Sequence, residues 1–226
     1  KAMAGRAASH FGEIVPVIDG SGNIHAEDDG VRADASMAGM AKPKPFFDKK
    51  YGRITAANSS QITDGAALLL LASEAAVSKW DLKPLGRIVD GEWAGLDPAQ
   101  MGLGPVHAAT PILQRHGLGL NDLDAWEINE AFAAQVMGCI KAWEDPTYCK
   151  EQLGLDAPLG TLDQAKLNVD GGAIALGHPV GASGARIVLH LLHILRRDHD
   201  GKRGKRGIAS ICIGGGQGGA VLVEAV

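Results

Sequence analysis

The chain has 226 residues, of which 46% are hydrophobic and 21% charged, a balance that excludes an intrinsically disordered protein. The formal net charge of -4 argues against nucleic acid as a main partner. The longest apolar run, 66–72, is far shorter than the ~20 residues of a membrane span. The 3 cysteines lack paired spacing, which argues against a disulfide framework and favours a reducing compartment.

The first part of the chain is predicted to be mostly irregular, followed by one apolar helix. Residues 13–62 mix short apolar pieces with polar and glycine-containing stretches. Thr63 or Asp64 is suited to cap a helix over 66–79, because a side-chain oxygen can accept from the free backbone N–H groups of the first turn. That segment is rich in alanine and leucine and apolar on nearly every side, so we expect a buried helix.

From residue 85 onward, strand and helix patterns alternate. Strands are expected over 85–89, 125–128, 207–213 and 220–226, and helices over 106–116, 130–143 and from about 184 to His199. A polar insertion over 144–166 and a glycine-dense loop over 170–184 separate them, and the basic residues within 202–206 are expected to form a solvated connection. This alternation, ending in a hairpin, predicts an α/β fold with a mixed β-sheet and helices on both faces.

A glycine-rich turn over 214–219 follows Cys212 at the end of a predicted strand. Its glycines formally match a dinucleotide-binding fingerprint, but a strand follows them where that fingerprint needs a helix. Glycines in such a turn let the backbone approach a ligand and point N–H groups at it. Cys212 is therefore a candidate functional thiol, the alternative being an ordinary buried cysteine.

Two further candidates stand at junctions between predicted elements. His178 lies between Gly177 and Pro179 just before a helix, either as a placed catalytic imidazole or as a histidine with a structural hydrogen bond. Asn129 and Glu130 stand where a strand meets a helix, as functional residues or as a helix cap with a first-turn acid. Ligands of α/β proteins usually bind at such junctions.

The other histidines and cysteines show no clear chemistry. His190 and His193 lie three residues apart on a predicted helix, but no third ligand is evident, so no metal site is expected. Cys139 lies among apolar residues of a helix and is expected to pack, and Cys149 has no visible activating neighbour.

Four segments are informative in combination: 55–67 (TAANSSQITDGAA), 129–133 (NEAFA), 171–186 (GGAIALGHPVGASGAR) and 212–218 (CIGGGQG). Together, and in this order, they resemble the thiolase family of acyl-CoA C-acyltransferases. The resemblance covers nearly the whole chain. It implies a thiolase-like layered fold, a thioester Claisen condensation, and the reverse reaction, in which coenzyme A cleaves a 3-ketoacyl-CoA.

By motif position, the resemblance implies catalytic roles for four residues. Cys212 resembles the thiol that shuttles a proton at the substrate α-carbon, and His178 resembles the base that activates the nucleophilic thiol and serves an oxyanion hole. Asn129 resembles the residue that holds the water completing that hole. Gly214 resembles the backbone donor of a second oxyanion hole, on the acyl-enzyme carbonyl.

The resemblance also implies acyl-CoA and coenzyme A as substrates, with no metal and no bound cofactor. Ala56 and Ser60 belong to a segment that resembles the family's pantetheine-contacting loop, and Ser60 is the better candidate for a direct contact. Ala131 and Phe132 are further candidates for substrate binding.

The family's nucleophilic cysteine lies upstream of these motifs, and neither Cys139 nor Cys149 stands in a matching context. The chain therefore resembles a C-terminal portion, with 1–62 as the end of a loop region, 63–84 as a helix of the N-terminal half, and 85–226 as the C-terminal half. The expected partner is the missing N-terminal half, in a homodimer or homotetramer. The isolated chain is expected to be inactive.

Three functions stay open at this point. The first is a thiolase of fatty acid metabolism, such as β-oxidation, in the cytoplasm. The second is a non-catalytic acyl-CoA or lipid-binding module of the same fold, which would not require His178, Cys212 and Asn129 together. The third is a related ketoacyl synthase, which typically has histidine or asparagine in place of the second cysteine. The sequence fixes neither acyl chain length nor reaction direction.

Overall fold

The computed structural model describes residues 1–198 and 204–226, which form one four-stranded sheet flanked by helices and a small two-stranded ladder. The strands are β1 (Val17–Ile18), β2 (Ile24–His25), β3 (Gly86–Gly95), β4 (Ala125–Ile128), β5 (Arg206–Ile213) and β6 (Gln217–Ala225). The helices are α1 (Ala2–Ala7), α2 (Met37–Met40), α3 (Glu74–Trp80), α4 (Gly104–His116), α5 (Ala133–Glu144), α6 (Pro146–Leu153), α7 (Ala173–Leu176) and α8 (Ser183–Arg197). Short 3-10 helices cover Ala56–Asn58 and Pro98–Leu103.

The four-stranded sheet has mixed direction, in the order β3-β6-β5-β4. β4 runs parallel to β5, with Ile128 opposite Ser210, whereas the β5–β6 and β3–β6 pairs are antiparallel. Parallel neighbours end at the same edge of a sheet, so the residues that follow β4 lie beside the last residues of β5. The predicted mixed sheet is confirmed, and its topology brings Asn129 and Cys212 to one edge.

Helices cover both faces of the sheet, as predicted. Successive residues of β5 point to opposite faces, so they belong to two different cores. Ile208 belongs to a core shared with α4 and α5, in which the rings of Trp126 and Trp143 lie 5.5 Å apart between centroids. Ala209 belongs to a second core shared with α8, which contributes Ile187. A one-residue slip of β5 would exchange the two sets of side chains, so burial on both faces fixes the register.

The predicted buried helix over 66–79 is wrong for most of its length. Residues 66–73 have no regular structure, and only α3 forms, with the Ser73 side chain as its cap. Leu68 and Leu70 are exposed at 83% and 78%. Helix propensity alone does not hold so short a segment in a helix, and among the described residues nothing covers these leucines.

Other predicted boundaries differ by a few residues. α5 begins at Ala133 rather than at 130, and α6 forms inside the polar insertion, where the Asp145 carboxylate accepts from two backbone N–H groups of its first turn. α8 ends at Arg197, and the predicted end near His199 and the basic residues 202–203 lie outside the described residues. Within 1–198 and 204–226, no helix is long and apolar enough to cross a membrane.

Candidate active site

The candidate site lies at the edge of the sheet where β4 and β5 both end. Asn129 directly follows β4, and its backbone N–H donates to the Ser210 carbonyl at 2.9 Å, which continues the ladder by one residue. Cys212 is two residues further along β5 and is paired with Gly218 of β6. The parallel register therefore places Asn129 and Cys212 at the same end of the sheet.

The structure brings Asn129 and His178 into direct contact. The Asn129 Nδ2 atom lies 3.3 Å from His178 Nε2, although 49 residues separate the two along the chain. Asn129 is 1% exposed, and its Oδ1 atom is buried without a hydrogen-bond partner in the described chain. A buried amide oxygen without a partner is costly, so it is suited to accept from a water or a ligand in this site.

Three further groups fix the His178 ring and its backbone. The His178 backbone N–H donates to Thr63 Oγ1 at 3.2 Å, and Nδ1 lies 2.6 Å from Ser183 Oγ. The Ser183 hydroxyl donates to the Pro179 carbonyl at 3.1 Å, so we infer that Nδ1 carries the proton and donates to Ser183. This tautomer leaves a lone pair on Nε2, which accepts from the Asn129 amide and is available to act as a base.

Glycine is required directly before His178. Gly177 has a φ of +95°, which other residues rarely adopt, and a Cβ there would collide with the Thr63 side chain. The rigid ring of Pro179 follows on the other side. The glycine and the proline that flank His178 in the sequence therefore restrict the backbone on both sides of the imidazole.

Electrostatics favour a neutral His178. Burial, and then the positive charge of Arg186, lower its pKa from the usual value of 6.5. At neutral pH, the ring is therefore deprotonated on one nitrogen, as a general base requires.

Cys212 is a buried thiol with a raised pKa. It is 7% exposed, and burial raises its pKa above the usual value of 9.0, so the thiol form dominates at neutral pH. The thiol lies inside the protein, on the face of the sheet that Ile208 shares with α5.

The glycines after Cys212 serve two different purposes. Gly216 and Gly218 lie so close to the backbone of Leu96 and Gly104 that a Cβ would collide with it. Gly214 is exposed, and a Cβ built there meets no heavy atom within 4 Å. Space for an incoming group therefore exists at Gly214, whereas the other two glycines are needed for the close contact between the turn and the neighbouring backbone.

Glu130 does not serve as a first-turn acid, and Asn129 does not cap α5. The cap position is Phe132, and the Glu130 carboxylate accepts from Asn168 Nδ2 at 2.7 Å and from the Ile174 backbone N–H at 3.4 Å. Glu130 thus ties the end of β4 to the loop and helix that precede His178. This tie keeps the Asn129 and His178 segments together.

The segment that holds Ala56 and Ser60, which resembles a pantetheine-contacting loop, lies against the second half of the NEAFA motif. The Ser60 backbone N–H donates to the Ala131 carbonyl at 2.9 Å, and a β-bridge joins Ser59 to Phe132. Phe132 lines a groove of about 330 Å³, which Ala56, Ser60 and Ala131 do not line. The groove is lined by Phe47, Ile54, Ala99, Gln100, Gly102, Leu103, Phe132, Ala134, Gln135 and Gly138.

Sequence reasoning missed the residues that position the site. Thr63 contacts His178 and Asn168 contacts Glu130 across distant parts of the chain, and Ser183 contacts His178 from nearby. Only Ser183 had a local signal, because it lies five residues after His178 at a helix start. Among the described residues, no three His, Cys, Asp or Glu side chains are grouped as a metal site requires.

Comparison with known proteins identifies the family of this chain. Two family models match, the thiolase C-terminal domain over residues 82–225 and the thiolase N-terminal domain over residues 1–75. An acetyl-CoA acetyltransferase of Shinella zoogloeoides is 43% identical over 230 residues, which is 100% of this chain and 53% of that protein.

Two solved structures are similar over 100% of this chain and 51% of their own chains. The human mitochondrial 3-ketoacyl-CoA thiolase in complex with CoA has a TM-score of 0.81 at 37% sequence identity. The dimeric peroxisomal thiolase of Saccharomyces cerevisiae has a TM-score of 0.84 at 36% identity.

The layered α/β fold, with polar groups gathered where parallel strands end, is that of a thiolase-like protein. The chain belongs to the thiolase family. It spans about half the length of the curated relatives it matches.

Proposed function

We propose that the protein is an acyl-CoA C-acyltransferase of the thiolase type, which condenses thioesters or cleaves a 3-ketoacyl-CoA with coenzyme A. The observation that carries this proposal is the contact between Asn129 and a neutral His178 at the sheet edge that also holds Cys212. A lipid-binding module has no need of a base, a thiol and a free amide oxygen at one edge. A ketoacyl synthase typically has histidine or asparagine where this chain has Cys212.

His178 acts as the base for the acyl-accepting thiol. Its Nε2 lone pair takes the thiol proton, and the resulting N–H then points at the oxygen on which negative charge develops. A water held by the Asn129 Oδ1 atom supplies a second donor to that oxygen. Ser183 holds the proton on Nδ1 throughout, so that Nε2 alone exchanges a proton.

Cys212 acts at the substrate α-carbon. In cleavage, the bond between the α-carbon and the keto carbon breaks, the electron pair stays on the α-carbon, and the Cys212 S–H donates its proton there. Burial raises the pKa of Cys212 and keeps it as the thiol at neutral pH, which is the form that cleavage requires. Condensation uses the thiolate to remove the same proton. The backbone N–H of Gly214 is proposed to donate to the acyl-enzyme carbonyl.

The acyl-carrying cysteine is proposed to come from sequence outside these 226 residues. Cys139 is 0% exposed, and burial raises its pKa to about 12. Cys149 is also 0% exposed, and its S–H lies 3.3 Å from the Ala142 carbonyl. Neither thiol is accessible to an acyl-CoA, which supports the predicted assignment of the nucleophile to an N-terminal half.

The proposed substrates are acyl-CoA and coenzyme A, with no resident metal or cofactor. Ser60 and Phe132 are proposed to contact the pantetheine arm, beside Ala56 and Ala131. A homodimer or homotetramer stays a prediction; of the relatives above, the yeast protein is named dimeric. The cytoplasmic location also stays a prediction, since the human relative is named mitochondrial and the yeast relative peroxisomal. The division of the chain at residues 62 and 84 stays a prediction as well.

The substitution Cys212→Ser tests the proposal in protein completed by the upstream half. A serine hydroxyl is too weak a base near pH 7, so condensation and thiolysis should fall by about 10²–10⁴-fold. Acyl transfer to the nucleophile depends on His178, so acyl-enzyme should still form from an acyl-CoA and be visible by mass spectrometry. His178→Ala should impair both steps.

Cys139→Ser is the matched control, because it makes the same chemical change at a buried thiol with no proposed role. It should leave turnover close to that of the parent. If Cys212→Ser instead keeps turnover within a few-fold of the parent, Cys212 is a packing residue and the proton-transfer assignment is wrong.

A further inference from the structure

A short segment over residues 59–65, which we call the strap, contacts both parts of the chain that carry Asn129 and His178. Its first residues pair with the segment after β4: the Ser60 backbone N–H donates to the Ala131 carbonyl at 2.9 Å, two residues after Asn129. This is a contact between backbone groups, so it does not depend on the side chains of the strap. The strap is therefore joined to the Asn129 side of the site by its backbone.

The later residues of the strap reach the His178 loop through two side chains. Thr63 Oγ1 accepts from the His178 backbone N–H at 3.2 Å. Gln61 Nε2 donates to the Ala175 carbonyl at 3.4 Å. The Thr63 side chain also occupies the space beside Gly177 in which a Cβ would lie. These polar contacts can therefore be removed by substitution without altering the backbone contact at Ser60.

The hydroxyl of Thr63 has a fixed role in these contacts. It donates its proton to the Gln61 carbonyl at 2.9 Å, so its oxygen acts as the acceptor for the His178 N–H. Glycine also adopts negative φ values, so the φ of +95° at Gly177 has to be selected by a contact from another part of the chain. The Thr63 hydroxyl supplies such a contact at the next residue.

We propose that Thr63 is a positioning residue for His178: its hydroxyl holds the backbone of the base, and the strap keeps that backbone in place relative to the Asn129 segment. Asn129 Nδ2 and His178 Nε2 lie 3.3 Å apart, a separation that depends on both segments. The proposal rests on the proposed function, because the position of His178 affects a rate only if the imidazole acts as a base. A displacement of about 1 Å at a reacting group can lower a rate about 10²-fold.

Two substitutions at Thr63 separate the hydroxyl from the rest of the side chain, in protein completed by the upstream half. Thr63→Val keeps the shape and removes the acceptor, whereas Thr63→Ser keeps the acceptor and removes a methyl group. The rate of acyl-enzyme formation from an acyl-CoA, followed by mass spectrometry, should fall by about 10- to 100-fold in Thr63→Val. Thr63→Ser should stay within a few-fold of the parent. The KM for acyl-CoA should change little in either variant, because Ser60 and Phe132 stay in place.

Amide hydrogen exchange tests the contact itself, without any turnover. Pro179 has no backbone N–H, so overlapping peptides that end at Gly177 and at Pro179 differ only by the His178 amide. Loss of the acceptor should speed exchange at this amide by about 10-fold in Thr63→Val, and Thr63→Ser should keep most of the protection.

Thr110→Val is the matched control, because it makes the same chemical change at a hydroxyl in the core between α4 and α5. That hydroxyl accepts from the Trp143 indole N–H at 3.0 Å. The control should lower the free energy of unfolding but leave both acyl-enzyme formation and exchange at the His178 amide unchanged. A general loss of stability is thereby distinguished from a displaced base.

Acyl-enzyme formation at the parent rate in Thr63→Val, or equal losses in the valine and serine variants, would overturn the proposal. If Thr63→Val does not fold, Thr63→Ala decides the question, and parent-like acylation and exchange there would reject it. Unchanged exchange at the His178 amide rejects the anchoring contact whatever the protein catalyses. Full activity of His178→Ala would instead reject the proposed function, so the two ideas can fail separately.

Discussion

At the scale of residues, the two nitrogens of His178 have different partners, and this asymmetry determines what the ring can do. Nδ1 faces the Ser183 hydroxyl at 2.6 Å, and Nε2 faces the Asn129 amide at 3.3 Å. Because Ser183 also donates to the Pro179 carbonyl, only one arrangement of protons satisfies all three groups. The loop conformation that Gly177 permits thus selects the base-competent tautomer.

Ser183→Ala should therefore lower turnover while leaving the fold intact. The substitution leaves the Nδ1–H without its acceptor, and an unpaired buried donor costs roughly 1–3 kcal/mol, so kcat/KM should fall roughly 10- to 100-fold. Steady-state kinetics and a thermal melt on the same preparation measure both properties. Ser36→Ala is the control, because Ser36 caps α2 and has no contact with the site. Unchanged kcat/KM in Ser183→Ala would contradict the tautomer assignment.

At the scale of elements, α8 carries a row of basic side chains that face acids from three other parts of the chain. Besides Arg186, the row includes His190, which is 1% exposed and lies between Glu13 and Asp170. Its Nδ1 is 2.5 Å from Glu13 Oε1, and its Nε2 is 3.3 Å from Asp170 Oδ2. Both ring nitrogens face carboxylates, so the ring is an imidazolium that ties the N-terminal segment to α8.

This tie predicts a loss of stability at alkaline pH. Burial lowers the pKa of His190, but the nearby carboxylates of Asp170 and Glu13 and the charge of Glu127 raise it to about 9. The folded pKa lies above the unfolded value of about 6.5, so the stabilisation is fully present below pH ~6.5 and is lost as pH rises through about 9. Urea unfolding at a series of pH values measures it.

His190→Gln should remove this dependence and destabilise the protein by about 3–5 kcal/mol at neutral pH, because it leaves buried carboxylates without their cation. His25→Gln is the control, since His25 is an exposed histidine beside Asp19. A parent whose free energy of unfolding stays constant between pH 7 and about 10 would show that His190 is not an imidazolium at neutral pH.

At the scale of the whole molecule, the proposed reaction needs an acyl-carrying thiol that is accessible to the substrate. The edge where β4 and β5 end carries the groups proposed as base and acid, whereas Cys139 and Cys149 are both 0% exposed. Most of the apolar run 66–72 is exposed to solvent, including Leu68 at 83% and Leu70 at 78%. Exposed apolar surface of this kind marks a contact with another part of a protein.

The 226-residue chain alone should therefore show no thiolysis. Adding the upstream half, by co-expression or in one polypeptide, should restore cleavage of acetoacetyl-CoA, followed by the loss of enolate absorbance. The completed protein with His178→Ala serves as a control for background hydrolysis. Robust turnover by the isolated chain would mean that the acyl-carrying group lies within it.

Elements with strong local signals were predictable from the amino-acid sequence alone. Strand β4 and helix α4, with its terminating Gly117, follow from periodicity and end signals, and the mixed sheet follows from their alternation. The candidate residues Asn129, His178 and Cys212 were also identified from the local sequence. Glycine, proline and the ends of strands restrict the local backbone, whichever distant part of the chain packs against it.

Which side chains meet, and which surfaces are covered, depends on how the whole chain folds. His178 meets Asn129 and Thr63 through contacts between segments that are 49 and 115 residues apart, and no local pattern encodes such contacts. The failed prediction over 66–79 has the same origin: a run of alanine and leucine gives helix propensity, but a helix forms only where its apolar sides are buried. Burial is a property of the whole molecule.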